Sequence, residues 1–178
     1  RQTGDSLREV AGLLSASASL EQVLDSILTE LERNLPADYS AIWFGEEDAI
    51  HCAAAHHVDP IALEAIRDGD EAGFEVIRNA MFATAPVIRR KEDPIGPSAV
   101  YGGFDLNHSA IYVPLKVGQQ AVGVLSLVHH TPGRYGHEAS AMTTTFGSYA
   151  SVAIENARLY DAAQEQAYAS AALLHCLL

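Results

Sequence analysis

Lysine is nearly absent from these 178 residues: Lys91 and Lys116 are the only two, and 11 Lys and Arg together face 23 Asp and Glu, a formal net charge of −12. Phosphate backbones and anionic membranes are held by clustered basic groups, so this balance argues against both kinds of partner. Cysteine is equally scarce. Cys52 and Cys176 sit far apart in different kinds of segment, which fits a reducing cytoplasmic compartment better than a disulfide framework. No apolar run reaches the roughly 18 residues of a membrane span, and no basic-then-apolar leader opens the chain. The length suits one hydrophobic core rather than two. The first residue is Arg1, and Leu178 falls inside an apolar helical pattern; the expectation is a segment of a longer polypeptide.

What is present is a sequence of periodic segments. Leu7, Val10 and Leu14 share a helical face, and Leu20, Val23, Leu24, Ile27, Leu28, Leu31 and Leu35 repeat at intervals of three and four, the helix period. Ser19 with Gln22 reads as a capping box, and Pro36 closes the helix. Tyr39–Phe44 and Ile50–His56 flank an acidic turn and read as a hairpin. Both strands are apolar on both parities, so the sheet is covered on both faces. Pro60 opens a short helical stretch, and Phe74, Ile77, Ala80 and Met81 are in phase in a second. From Ala85 to His108 no period is sustained, the pattern of a long irregular excursion. Ala110–Leu115 and Ala121–Val128 form a second hairpin. The last 40 or so residues read as one helix about 60 Å long, with Met142, Phe146, Tyr149, Val152, Ala153, Ala157 and Tyr160 on one stripe. The layout is α+β: a central antiparallel sheet with the N- and C-terminal helices on one face and loops and short helices on the other.

Eight histidines invite a metal reading. In His56-His57 and His129-His130, adjacent side chains at strand ends point to opposite faces, so neither pair is expected to chelate one ion. Cys52 and His56 would share a face, but about 13 Å of strand separates them. Metal ligands are therefore read as none, with His108 or His56 as the minor case of a haem or non-haem iron ligand.

Three segments carry a family resemblance: Ile111-Tyr-Val-Pro-Leu115, Gly123-Val-Leu-Ser-Leu127 and Ala153-Ile-Glu-Asn-Ala-Arg-Leu-Tyr160. With the first helix and the Tyr39–Phe44 strand ahead of them, they resemble the strand, strand and exit helix of the GAF domain, a GAF/PAS-like sensory module of signalling proteins. The resemblance spans about residues 19 to 161, which divides the chain into a linker helix (1–18), the domain (19–160) and an exit helix (161–178). Ala169–Leu178 echoes Leu7–Leu14, as at the boundary of a tandem array. The resemblance implies a cytoplasmic, non-catalytic sensor that passes pocket occupancy through its terminal helices to a neighbouring GAF or output domain such as a kinase, cyclase or phosphatase. Leu7, Val10 and Leu14, beside Ala157 and Tyr160, would build a homodimer.

The same resemblance implies a pocket on the sheet face away from the terminal helices. Trp43, Tyr101, Phe104, His108 and Tyr112 have the mixture of flat surface and polar tip that suits it, although Trp43 and Tyr112 also suit a plain core. Arg89-Arg90-Lys91 reads either as an anion receptor or as a solvated charge run. No cysteine stands between Ala53 and His175, which excludes the family's covalent bilin attachment and leaves the cofactor unknown. His129 and His130 stand where the cyclic-nucleotide signature of phosphodiesterase relatives would begin. Relatives that reduce methionine sulfoxide need several cysteines near the pocket, and Cys52 has no such companion. A Gly-x-Ser-x-Gly elbow is missing, and Gly102-Gly103 is too short to cradle phosphate.

Overall fold

The computed structural model describes residues 4–5, 8–9, 19–45, 49–62, 64 and 71–177. The first long helix, α1 (Leu20–Asn34), begins as its residues dictate: Ser19 accepts from the Gln22 amide and the Gln22 side chain accepts from the Ser19 amide, satisfying two donors that every helix start leaves open. Its buried stripe is Val23, Leu24, Ile27, Leu28 and Leu31. Leu7, Val10 and Leu14 lie outside the described residues.

Strands β1 (Tyr39–Phe44) and β2 (His51–His56) form the expected hairpin, helix α2 (Glu71–Met81) follows, and then strand β3 (Val87–Ile88) and helix α3 (Pro97–Gly102). The Ala85–His108 excursion is thus more regular than its sequence suggests. A two-residue strand and a six-residue helix are too short to show a period. Pro97 opens α3, and Gly103 stops it with φ 67°, a backbone state that glycine adopts without a Cβ penalty. Strands β4 (Ser109–Val117) and β5 (Gln120–His129) turn at Gly118-Gln119, and helix α4 (His137–Leu177) runs for 41 residues.

The five strands are antiparallel in the order β2-β1-β5-β4-β3. Strand parity divides the interior into two layers. Ile42, Ile111, Val113, Leu115, Leu125 and Leu127 meet α1 and the first half of α4, while Ala41, Trp43, Ala110, Tyr112, Val124 and Val128 meet α2 and α3. The α4 stripe that enters the first layer is Ala139, Thr143, Phe146, Gly147, Ala150, Ala153 and Ile154. Val152, placed on that stripe by the sequence pattern, is 44% exposed, because the face in contact with the sheet runs one residue out of phase with it. Tyr135 donates to the Pro36 carbonyl at 2.7 Å, tying the start of α4 to the end of α1. Beyond Ala157 the helix leaves the body, and its remaining residues are exposed.

Candidate functional site

The second layer holds four of the five residues singled out from the sequence. Trp43 on β1 and Tyr112 on β4 are 1% and 3% exposed; Phe104 and His108, in the segment between α3 and β4, are buried as well. Tyr101 belongs to α3, and its side chain lies outside the described residues. Trp43 meets Phe74 of α2 edge to face at 5.7 Å, and its indole N–H donates to Ser126 Oγ at 3.1 Å. Phe104 is a hub: its ring stacks on His130 at 3.7 Å and meets Tyr39 at 5.1 Å and His108 at 5.6 Å edge to face. These contacts fasten the α3–β4 segment to the start of β1 and to the residue that follows β5.

Among the described residues, two buried side-chain polar atoms of this layer lack a well-aligned hydrogen bond. His108 is bonded through Nδ1 to the Asp105 carbonyl at 2.5 Å, while its Nε2 has no hydrogen-bond partner. Burial, with like-charge repulsion from Arg89 and His130, outweighs the Asp105 contact and holds the imidazole pKa below its ordinary value, so the ring is neutral near pH 7. Nδ1 then carries the proton and Nε2 is a bare acceptor. Tyr112 is wholly buried, and burial pushes its phenol up to about 12. Its hydroxyl meets the Gly96 backbone, a contact that works against the burial shift but is not a well-aligned hydrogen bond; a Cβ at Gly96 would stand 2.5 Å from the oxygen.

Arg89 sits beside both groups. The basic run does not act as one unit: Arg90 and Lys91 are exposed, but Arg89 is 6% exposed. Its guanidinium donates to the carbonyls of Pro94, His108 and Asp93 at 3.3, 3.2 and 3.0 Å, with a longer 3.5 Å contact to Lys91. Those donors are occupied in shaping the loop, so neither a solvated charge run nor an open anion receptor describes Arg89.

The histidine pairs also differ from the sequence reading. In each pair the two rings converge on one carboxylate instead of facing apart. His130 Nδ1 lies 2.8 Å and His129 Nδ1 3.7 Å from Asp38 Oδ2; burial would raise Asp38, but the His130 backbone and side-chain hydrogen bonds outweigh it and lower its pKa. At the end of the edge strand β2, His56 Nε2 is 2.5 Å from Asp25, and His57 Nε2 is 2.9 Å from Glu32. Burial would raise Glu32, yet hydrogen bonds from His56, Ser40 and His57 bring it down to about 2. The Glu32 hydrogen bond, against burial and with help from Asp25, raises His56 to about 9. The turn of His57 comes from its φ of 66°, which a strand-alternation argument does not anticipate. A register shift at Ile42/Trp43 similarly separates Cys52 from His56: Cys52 pairs with Trp43 in the α2 layer, and His56 pairs with Ser40 on the α1 side. His56 and His108 therefore occupy opposite sides of the sheet and cannot serve one cofactor.

The GAF domain family model matches residues 19–156, and the fold is that of solved GAF domains. The chain belongs to the GAF domain family. It is similar to the GAF domain of a phosphoenolpyruvate-protein phosphotransferase from Coxiella burnetii (17% identity, TM-score 0.69, covering 90% of this chain and 97% of that one). It also resembles a free methionine-R-sulfoxide reductase from Neisseria meningitidis (14%, 0.66, 89% and 91%) and the phycoerythrobilin-bound GAF domain of a cyanobacterial phytochrome (13%, 0.63, 89% and 97%). Among curated proteins no significant match occurs. At these identities the likeness is one of fold. No helix among the described residues is long and apolar enough to cross a membrane.

Proposed function

We propose that this chain is a non-catalytic regulatory GAF domain that binds a small molecule without a covalent bond, in the layer between the sheet and α2–α3. The carrying observation is the pair of buried polar atoms without a well-aligned hydrogen bond, His108 Nε2, which has no partner, and Tyr112 Oη, which meets only the Gly96 backbone, both beside Arg89. A buried polar group left without a good hydrogen bond costs about 1–3 kcal/mol, and a layer built only for packing would have no use for two. A ligand that donates to Nε2 and pairs with the phenol removes that cost. The short helix α3, held between Gly96 and Gly103, is the element that would move to admit it. Occupancy would then be communicated through the β4–β5 hairpin to α4. The occupant class is a small, flat, polar molecule, matched to the aromatic walls of Trp43, Phe104 and Tyr112.

Native mass spectrometry of the purified protein tests this, together with its absorption spectrum. A retained small molecule that is lost in His108→Ala and in Tyr112→Phe supports the reading, and a haem-type visible band that vanishes with His108 would identify an iron porphyrin. A clean apoprotein mass, with no thermal shift across a library of flat polar compounds, favours a second reading: a dimerising spacer. The close packing of Trp43, Phe74, Ile77 and Met81 is what favours that alternative.

A further inference from the structure

We propose that Glu32, His56 and His57 form a binding site for a first-row divalent cation that prefers imidazole ligands, on the edge where α1 meets β2. Among the described residues these three offer one ligand atom each within 4.8 Å of one another. A tetrahedral ion with bonds near 2.0–2.1 Å needs its ligand atoms about 3.3 Å apart, a closure within reach of small side-chain rotations. The set of two imidazoles and one carboxylate suits zinc, and an open fourth position remains for water or a partner's ligand.

Three features go beyond a chance cluster. His56 uses Nε2 toward Asp25 Oδ1 at 2.5 Å and presents Nδ1 to Glu32 at 3.5 Å, so one ring nitrogen is oriented by a carboxylate while the other faces the site. That is the outer support metal-ligating histidines ordinarily have. Ser40 donates to Glu32 Oε1, leaving Oε2 as the ligating oxygen, 2.9 Å from His57 Nε2. His57 has the one positive φ of a non-glycine residue among those described. That backbone state is unfavourable for a residue with a Cβ, and here it swings the second ring onto the side of the first. Bound metal would cross-link α1 to the sheet edge and hold the helix layer in one packing.

Isothermal titration of zinc into the protein tests the site, on a Cys176→Ser background so that the exposed thiol does not compete. The expected result is one equivalent bound at micromolar or tighter affinity, weakened at least about tenfold by Glu32→Gln and by His57→Asn, the latter keeping a residue that tolerates positive φ, and by about 10–100-fold in Asp25→Asn, which acts through His56. His137→Gln, on a distant exposed histidine, leaves binding unchanged. Cobalt substitution should give the visible bands of a four-coordinate nitrogen and oxygen site, absent in Glu32→Gln. Unaltered far-UV circular dichroism and melting of the metal-free variants establish that they fold. No saturable uptake by the parent, or uptake indifferent to both Glu32→Gln and His57→Asn, overturns the proposal.

Discussion

At the scale of single residues, Arg89 and His108 do the most to shape the second layer. Arg89 is a buried cation whose partners are backbone carbonyls, so removing it strands several acceptors at once. Arg89→Met should destabilise the domain by about 3 kcal/mol, measured by urea denaturation with the fluorescence of Trp43, the single tryptophan, as the reporter. His108 gives a pH dependence with a definite sign. Its folded pKa lies below the ordinary 6.5, so the unfolded chain takes up the proton first. Stability is intact above pH 6.5 and is lost as pH falls from 6.5 through the folded value. Denaturation midpoints measured across that window should show the loss in the parent and not in His108→Leu. A parent curve no steeper than the variant's would refute the neutral buried imidazole.

At the scale of elements, α3 depends on a close approach that its sequence does not announce. A Cβ on Gly102 would lie 2.3 Å from the Tyr39 ring and 2.7 Å from that of Phe104, the contacts that pin the α3–β4 segment. Gly102→Ala should therefore cost about 2 kcal/mol, against the gain ordinarily expected of alanine in a helix. Ser19→Ala, which opens the capping box of α1, should cost about 1 kcal/mol; thermal denaturation checks both. Much of this scale was legible in advance. Ser19, Gln22 and the leucine spacing carry α1 without outside help, and the two hairpins follow from paired apolar runs. The interior of the 85–108 excursion was not legible, since its shape is held by Arg89 through carbonyls scattered along the loop itself and by Phe104 through Tyr39 and His130, far away in sequence.

At the scale of the whole molecule, α4 is too long for the body it packs on. Its outer half exposes Leu159, Tyr160, Tyr168, Leu173, Leu174 and Leu177 by 62–82%, and Tyr160, Ala163, Gln164, Ala167, Tyr168 and Ala171 line a shallow groove along it. Spacings of three and four put Tyr160, Ala163, Gln164, Ala167, Tyr168, Ala171 and Leu174 on one face, with Leu159, Leu173 and Leu177 to one side of it. A face of that kind, repeated on a second copy, favours pairing of exit helices. Sedimentation velocity should find a dimer at micromolar concentration. The double substitution Tyr168→Glu and Leu174→Glu, both on that face and exposed, should return a monomer of unchanged melting temperature, because neither side chain touches the folded body. A monomeric parent would count against dimerisation through this helix.

The amino-acid sequence alone determined the local elements, the two-sided sheet and the family, because helix period, caps and hairpin turns are written within a few residues of where they act. Tertiary structure decided the chemistry. That Arg89 is buried, that His56 and His57 face one carboxylate, and that His108 and Tyr112 each keep a buried polar atom without a well-aligned hydrogen bond depend on one positive φ, one register shift and one loop wrapped around a guanidinium. Each of these joins residues whose proximity exists only after the sheet has assembled, and spacing along the chain holds no record of it.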